Sequence, residues 1–424
     1  MQFLIQNGNV VLDKTIKKLD ILTKNAHIVQ MREHLNADKN QNCTTINCTN
    51  CFVFPGLVDM HVHLRDPGFP EKETIQTGCD AAAAGGFSTI CCMPNTKPTI
   101  DCSKVLNYVK KKAKKACANV YTISAITQNL KGEKLTNFKE MADNGAVAFS
   151  DDGHCVENEN LMKQALIEAN LNNKIIISHC ENSKMSQNGL LNHGKISKIL
   201  NLKGIDNLSE SFIVNKHINL AAQLNCKIHI AHVSTKESVL LIKKAKSKGI
   251  QVSAETCPHY FCLSDEALLS LNANFKINPP LRSESDRKEI EQAIIDKTID
   301  CIATDHAPHT PNEKANFITA PNGAIGLETS LACTLTNFFH TKKLNLCEIV
   351  EIMAKNPCKI LNLPFTELKP GAIANFSIVD INKKWKVNSS QFKSKSKNSP
   401  FEGKTLIGKV LQTFFKGRLV FSFS

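Results

Sequence analysis

The sequence has no long uninterrupted run of apolar residues. None of its 424 residues lies in an apolar stretch of about 18 or more, the length that a membrane-spanning helix needs. The first residues, Met1 to Gly8, also lack the basic start and the long apolar stretch of a secretory signal peptide. We therefore expect a cytoplasmic protein that does not bind membranes.

The sequence also lacks the features of a nucleic-acid-binding protein. The formal net charge is +13, supplied mostly by lysine, but clusters such as Lys110–Lys115 have no interleaved aromatic residues and no DNA-binding motif. That cluster is better interpreted as a solvated helix face, so nucleic acid is not an expected partner. A positive field would favour a small anionic substrate.

The sequence also lacks the two closely spaced cysteine pairs that a zinc finger needs. The chain has 17 cysteines, an odd number, and Cys48 and Cys51 form a lone CxxC with no second pair at zinc-finger spacing. In a large cytoplasmic protein, cysteines are expected to be free thiols. Neither a disulfide framework nor a zinc finger is predicted.

What the sequence does contain is an alternation of apolar, β-rich runs and helix-like stretches between about residues 56 and 310. Most runs are almost continuously apolar, as is typical of parallel strands buried on both faces. Eight such units predict an α/β protein built on a (β/α)8 TIM-type barrel. The eight runs are Leu57–Leu64, Phe87–Met93, Asn119–Ile126, Ala146–Ser150, Lys174–His179, Lys227–Val233, Ile250–Glu255 and Asp300–Thr304.

The two ends of the chain have a different pattern. Residues 1–54 and 370–424 contain short alternating strands, and neither segment is long enough to make a good core alone. We predict that they pair into one small composite β-sandwich domain beside a barrel domain of residues 55–369. The stretch Asn388–Asn398, rich in serine, lysine and asparagine, is expected to be a flexible surface loop.

Histidines and aspartates follow the predicted barrel strands at their carboxyl ends, where the catalytic groups of such barrels lie. Buried imidazoles and carboxylates without partners cost several kcal/mol, so packing alone explains this set poorly. These are the ligands that Zn²⁺ accepts when one position stays open for water. The candidate ligands are His61, His63 and Asp305 for one ion, His179 and His232 for a second, and Asp152 as a bridge between them.

Such a site predicts metal-assisted hydrolysis. A bound metal lowers the pKa of water from about 15.7 toward 7, which provides a nucleophile at neutral pH. A carboxylate beside that water would take its proton and deliver it to the leaving nitrogen. Asp305, at the end of the eighth strand, is the candidate for this proton transfer.

The motifs identify a family. Pro55–Gly68 (PGLVDMHVHLRDPG) resembles the opening signature of dihydroorotases in the amidohydrolase superfamily, and Ala303–His309 resembles their second signature. The order and spacing of the other motifs resemble the long, class I (bacterial-type) enzymes over nearly the whole chain. Those motifs are Met93–Thr96, Asp151–Gly153, Ile277–Arg282 and Gly326–Glu328.

The resemblance implies reversible cyclisation of N-carbamoyl-L-aspartate to (S)-dihydroorotate in pyrimidine synthesis, with one or two zinc ions per chain. It implies the metal ligands named above, with Asp305 both ligand and general acid/base. Arg65 and Asn95 would hold the substrate's free carboxylate, a group that suits a bidentate guanidinium. The rest of the implied substrate-binding set is His63, Asn278, His309, and the backbone of Asn322 and Gly323 on a closing loop.

Two departures from related patterns matter. Hydantoinases bridge their metals with a carboxylated lysine, whereas the fourth strand here ends in Asp151 and Asp152. Asp152 matches the bridging position of the family, and Asp151 is either a support for it or the alternative bridge. Relatives often carry an aromatic residue where this chain has Asn322, which leaves the details of loop closure open.

Some residues near the strand ends are not expected in the site. In the family, the segment from Glu255 to His259 is a structural turn, and a typical zinc site is full without it. His229 lies three residues before His232 and should face the other side of its strand.

Two other functions stay open at this point. A cyclic amidase for another ring, such as a hydantoin or allantoin, would share the metal site but would not need Arg65 with Asn95. A non-catalytic scaffold for aspartate transcarbamoylase would typically have lost metal ligands. A second copy of the chain and aspartate transcarbamoylase are the candidate protein partners, and the sequence decides neither.

Overall fold

A computed structural model describes residues 1–36, 43–187 and 189–423 of the chain. In these ranges, no helix combines the length and apolar character needed to cross a bilayer. The strands are β1 Gln2–Val11, β2 Ile16–Lys24, β3 His27–Arg32, β4 Cys43–Asn47, β5 Phe52–Pro55, β6 Leu57–Val62, β7 Phe87–Cys92, β8 Asn119–Ser124, β9 Ala146–Phe149, β10 Ile176–Ser178, β11 Leu191–Asn192, β12 Gly204–Ile205, β13 Ile228–Ile230, β14 Val252–Thr256, β15 Cys301–Ile302, β16 Phe376–Lys386, β17 Thr405–Phe415 and β18 Arg418–Ser422.

The helices fill the intervals between the barrel strands and follow the last of them. Several begin at a side chain that caps the first turn, such as Thr74 before α1 and Asn158 before α4. The α-helices are α1 Ile75–Ala84, α2 Ser103–Ala113, α3 Phe138–Asp143, α4 Glu159–Leu171, α5 Ser183–Ser186, α6 Lys195–Leu200, α7 Leu208–Gln223, α8 Lys236–Ser247, α9 Pro258–Cys262, α10 Glu284–Ile295, α11 Ser330–Thr334, α12 Leu346–Val350 and α13 Asn356–Leu361.

The predicted (β/α)8 barrel is confirmed. Eight parallel strands pair in the order β6, β7, β8, β9, β10, β13, β14, β15. The ring closes just beyond β15, where Val62 of β6 bridges His306 and the backbone N–H of His63 donates to the carbonyl of His306. Every residue of β6, β7 and β9 is buried, as expected for strands covered on one face by helices and on the other by the barrel interior.

The strands of the two chain ends form a second, eight-stranded sheet. As expected, the ends pair with each other: β5 runs antiparallel to β16, with Val53 opposite Ile378. The sheet folds over on itself, because the rings of Phe3 in β1 and Phe414 in β17 are only 5.1 Å apart. These strands are three positions apart in the sheet, which is roughly 14 Å on a flat surface. Both rings belong to the apolar core of this sheet.

The expectation of a solvated surface loop at Asn388–Asn398 holds only in part, because exposed residues such as Lys393 and Lys395 alternate with buried ones. Ser394, Ser396 and Asn398 are buried, with exposed fractions of 1%, 2% and 4%. The segment packs against polar groups, among them the half-buried carboxylate of Glu328, which accepts the backbone N–H groups of Lys393 and Ser394. Composition alone does not distinguish such a segment from a solvated loop.

Candidate active site

The six predicted metal ligands lie together at the carboxyl ends of the barrel strands. His61 is in β6 and His63 directly follows it, and the other four follow β9, β10, β13 and β15. All six side chains are buried. The four later residues are Asp152, His179, His232 and Asp305.

Asp152 occupies the centre of this cluster. Its Oδ1 lies 3.4 Å from Nε2 of His61, 3.3 Å from Nε2 of His232 and 3.6 Å from Nδ1 of His179. Its Oδ2 lies 3.4 Å from Nε2 of His63. Burial raises the pKa of Asp152, but the surrounding imidazoles lower it by more, to well below its ordinary value. One carboxylate is thus within reach of ligands from both predicted ion positions.

Asp151, the neighbour of Asp152, is turned away from the cluster. Its Oδ1 accepts the backbone N–H groups of Ile126 and Thr127 at 2.7 and 2.9 Å, and its Oδ2 accepts the hydroxyl of Thr127. Because these bonds use the carboxylate to hold the chain after β8, Asp152 and not Asp151 faces the candidate metal site.

The cluster fits a divalent metal. Ligand atoms of His61, His63 and Asp305 lie within 4.8 Å of one another, as do those of His61, Asp152 and His232. Nε2 of His61 is fully buried and has no hydrogen-bond partner among the described residues. An unpartnered buried nitrogen is costly, and here it points at two carboxylates, Asp152 and Asp305. A metal ion would satisfy it.

Three site residues have left-handed backbone conformations. The φ angles of Arg65, His232 and Asp305 are 58°, 33° and 47°. Such values are uncommon for residues with a side chain and cluster at functional sites. The ring of His232 lies against the other ligand candidates, with its Nε2 2.8 Å from Nδ1 of His179.

The expectations for Glu255 and His229 need correction. Oε1 of Glu255 lies 2.6 Å from Nδ1 of His61, and its Oε2 lies 3.3 Å from Nε2 of His229. Both residues therefore lie inside the barrel, beneath the ligand cluster. Strand alternation failed for His229 because β13 ends at Ile230, before the left-handed turn at His232. The position of Glu255 at the end of a strand was the sequence signal that could have placed it in the site.

Glu255 orients His61. Burial alone would raise the pKa of Glu255, but the imidazoles of His61 and His229 lower it below its ordinary value, so the side chain is a carboxylate. It accepts the Nδ1 proton of His61 and so leaves Nε2 free to bind a metal. Partners of this kind fix the tautomer and raise the basicity of a histidine ligand.

We expect Glu255→Gln to lower metal affinity by about 10- to 100-fold, because the amide keeps the size but not the charge that supports His61. Competition with a chelator, followed by metal analysis, measures this. Glu266→Gln, at an exposed glutamate, is the matched control. Equal affinities in the two variants would contradict the role of Glu255.

His179 is held in the opposite tautomer to His61, with the proton on Nε2 and Nδ1 free. Its Nδ1 lies 2.8 Å from Nε2 of His232, whereas its Nε2 lies 3.1 Å from Oε2 of Glu181. The same Glu181 oxygen accepts from the side-chain amide of Asn278 at 2.8 Å. Burial raises the pKa of Glu181, and the bonds from His179 and Asn278 lower it by more, to about 2. Glu181, which no sequence motif indicated, thus joins a metal-ligand candidate to a substrate-binding candidate.

The predicted substrate-binding residues lie beside the ligand cluster. Nε of Arg65 donates to the carbonyl of Pro308 at 3.2 Å, and its Nη2 lies 3.3 Å from Nε2 of His309. Burial and Arg65 lower the pKa of His309 to about 3, so this ring is neutral at pH 7. Its Nε2 donates to the carbonyl of Asn322 at 2.9 Å. Oδ1 of Asn95 lies 2.7 Å from Nδ1 of His63.

Gly323 lies close against the same group. Its φ of +137° is a conformation that favours glycine, and a Cβ there would lie 2.8 Å from Cβ of Ala307 and 3.1 Å from the His309 ring. The chain therefore packs against His309 at this point.

Arg65 has no charged partner in the described part of the chain. Among the residues that the structure describes, no carboxylate lies within ion-pair distance of its guanidinium, and desolvation lowers its pKa. Arg65 is half-buried, and a partly desolvated cation without an anion is unfavourable. The arrangement therefore suits an anionic ligand.

One cavity of about 220 Å³ joins the two groups. Every predicted site residue except His61 lines it, together with Gly153 and Ala307. A larger cavity, about 770 Å³, lies elsewhere and has no histidine among its lining residues. The small cavity is the candidate active site.

Comparisons with known proteins identify the family. Residues 51–238 match the Dihydro-orotase-like family. The chain is 43% identical to a dihydroorotase of Syntrophus aciditrophicus over 99% of both chains. It is 44% identical to a dihydroorotase of Acetivibrio thermocellus over 98% of both.

Solved structures show the same fold. An L-hydantoinase (dihydropyrimidinase) of Arthrobacter aurescens superposes with a TM-score of 0.86 at 25% identity, covering 98% of this chain and 95% of that one. A dihydropyrimidinase of Brevibacillus agri gives a TM-score of 0.86 at 21% identity, covering 99% and 95%. Identity over the full length is much higher to the dihydroorotases. The chain belongs to the dihydroorotase family and is a cyclic amidohydrolase.

Proposed function

We propose that this chain hydrolyses (S)-dihydroorotate reversibly to N-carbamoyl-L-aspartate, the third step of pyrimidine synthesis, with one or two zinc ions. The observation that carries the proposal is the shared cavity, which is lined both by imidazoles and carboxylates and by the unpaired guanidinium of Arg65. The imidazoles and carboxylates would hold the metal that opens a cyclic amide. The guanidinium fits a ring that carries a carboxylate.

His61, His63 and Asp305 would hold one ion, His179 and His232 a second, and Asp152 would lie between them. Nitrogen and oxygen ligands with an open position are typical of catalytic zinc. When bound, the metal supplies a nucleophile from water at neutral pH and polarises the amide carbonyl. Glu255 and Glu181 would fix the tautomers of His61 and His179.

Asp305 would move the proton. Its Oδ1 lies 2.9 Å from Nε2 of His63, and the residue lines the cavity. A carboxylate there takes the proton of the attacking water and delivers it to the ring nitrogen that leaves. In the reverse direction it takes the proton from the carbamoyl nitrogen as the ring closes.

The substrate carboxylate would lie against Arg65, with Asn95, Asn278 and His309 around it. Its charge would pair with the guanidinium, and a planar carboxylate suits two parallel hydrogen bonds from that group. The backbone of Asn322 and Gly323 would complete the pocket on the side of His309.

Turnover of dihydroorotate, dihydrouracil and hydantoin by the metal-loaded protein tests the proposal. We expect activity on dihydroorotate well above that on the two uncharged rings. Activity confined to the uncharged rings would assign the chain a hydantoinase-like specificity instead. Zinc well below one ion per chain, in protein prepared without chelator, would favour a non-catalytic scaffold.

The cytoplasmic location, a homodimer and association with aspartate transcarbamoylase stay predictions. Light scattering of the purified chain, alone and mixed with aspartate transcarbamoylase, tests the two assemblies.

A further inference from the structure

The segment Lys393–Asn398 runs from the C-terminal part of the chain across the catalytic face of the barrel. Its residues alternate between exposed and buried up to Ser396. Buried Ser394, Ser396 and Asn398 face the barrel. This segment is far in sequence from the strand ends that carry the site, and none of its residues is a candidate ligand or substrate-binding residue.

One end of the segment fastens the chain that follows Arg65. The carboxylate of Glu73 accepts the Ser394 hydroxyl at 2.6 Å and the backbone N–H of Lys395 at 3.1 Å. Ser396 donates to the carbonyl of Lys72 at 2.6 Å. Glu73 is itself fully buried and lies 3.3 Å from Nε2 of His306. The loop between β6 and α1 is therefore tied to the segment.

The other end fastens the chain around His309. Oδ1 of Asn398 accepts the backbone N–H of His309 at 3.1 Å. Nδ2 of the same side chain donates to the carbonyls of Ala307 and Gly323, both at 3.1 Å. The backbone carbonyl of Asn398 accepts the N–H of Ile325 at 3.2 Å. A single amide thus joins two stretches that carry substrate-binding candidates.

We propose that Asn398 is a positioning residue for the substrate-carboxylate side of the cavity, because it holds His309 and Gly323 in register through their backbones. This inference rests on the proposed function, which assigns that side of the cavity to the carboxylate. Asn398 does not line the cavity, so it acts only through the residues that it holds.

An amide is required at this position. Its one acceptor and two donors match one N–H and two carbonyl groups. Aspartate has the same size but no donors, and its charge would face two carbonyl oxygens. Alanine removes all three bonds and leaves buried polar groups without partners.

The test compares Asn398→Ala and Asn398→Asp with wild-type protein, all loaded with zinc. Asn388→Ala is the control, since Asn388 is an exposed asparagine of the same region that caps only its own short helical turn. Three quantities are measured: KM and kcat for dihydroorotate, zinc per chain, and backbone hydrogen exchange of the peptide spanning residues 305–325.

We expect both Asn398 variants to raise KM by about tenfold with kcat changed by no more than about threefold, because ligand positioning and not the chemical step is affected. Zinc content should stay at the wild-type value, and residues 305–325 should exchange faster. Asn388→Ala should match wild type in all three measurements.

Unchanged exchange of residues 305–325 in Asn398→Ala would overturn the inference whatever the activity. So would a loss of zinc together with a fall in kcat, which indicates general destabilisation, or an Asn398→Asp variant that behaves as wild type. If the wild-type protein does not turn over dihydroorotate, the proposed function fails, whereas the exchange comparison still decides whether Asn398 holds this part of the chain.

Discussion

Asp305→Ala is expected to lower kcat for dihydroorotate by about 10⁴-fold, the upper end of what a general acid–base group contributes. The side chain is within 2.9 Å of His63 and 3.5 Å of His61, so its loss removes both the proton carrier and one candidate metal ligand. Steady-state rates, with zinc per chain measured on the same samples, check this result.

The fold should survive the substitution. The Asp305 carboxylate lies in a cluster of polar groups beside His63, so its removal leaves the apolar barrel core untouched. Asp300→Ala is the control: Asp300 directly precedes β15 at the opposite end of the barrel and pairs with Lys246. Substantial activity in Asp305→Ala with zinc still bound would exclude Asp305 as the proton carrier.

The barrel and its ligand cluster could be predicted from the sequence because local rules are sufficient for them. Continuous apolar runs identify strands buried on both faces, and polar residues at the carboxyl ends of such strands must meet on one rim. Asp152, His179 and His232 follow different strands, yet no knowledge of distant contacts is needed to bring them together.

The supporting groups could not be predicted, because their partners are distant in sequence. Glu255 contacts His61 across 194 positions, and Asn398 contacts His309 across 89. The strand-end position of Glu255 indicates that it lies near the rim of the barrel, but nothing near Glu255 or Asn398 in the sequence indicates which residues they contact. The alternation rule applies only within a strand, and His232 lies beyond the end of its strand in a left-handed turn. The direction predicted for His229 from its spacing to His232 was therefore wrong.

The terminal sheet lies between these two cases. Alternating patterns at both ends indicated strands, and the need for a shared core indicated that they pair, as β5 and β16 do. The curvature that brings Phe3 onto Phe414 depends on twist and side-chain packing across several strands, which the pattern of one strand does not contain.

Arg65→Met is expected to lower kcat/KM for dihydroorotate by about 10²- to 10³-fold, mostly through KM, because removing one member of a buried charge pair costs about 2–5 kcal/mol. Zinc content should not change, since Arg65 is not among the ligand candidates. The kcat/KM of Arg65→Lys should lie between those of the wild type and Arg65→Met, because lysine keeps the charge but lacks the planar pair of donors. Arg32→Met, at an exposed position in β3, is the control.

The discriminating measurement is the turnover of dihydrouracil, which has the ring but no carboxylate, by the wild-type protein and by Arg65→Met. If Arg65 pairs with that carboxylate, any slow turnover of dihydrouracil is the same in Arg65→Met as in wild type, and the preference for dihydroorotate collapses. An equal loss with both substrates would mean that Arg65 supports the site through Pro308 and His309 and does not bind the carboxylate. Specificity for dihydroorotate would then have to come from other residues of the cavity, with Asn95 and Asn278 the first to test.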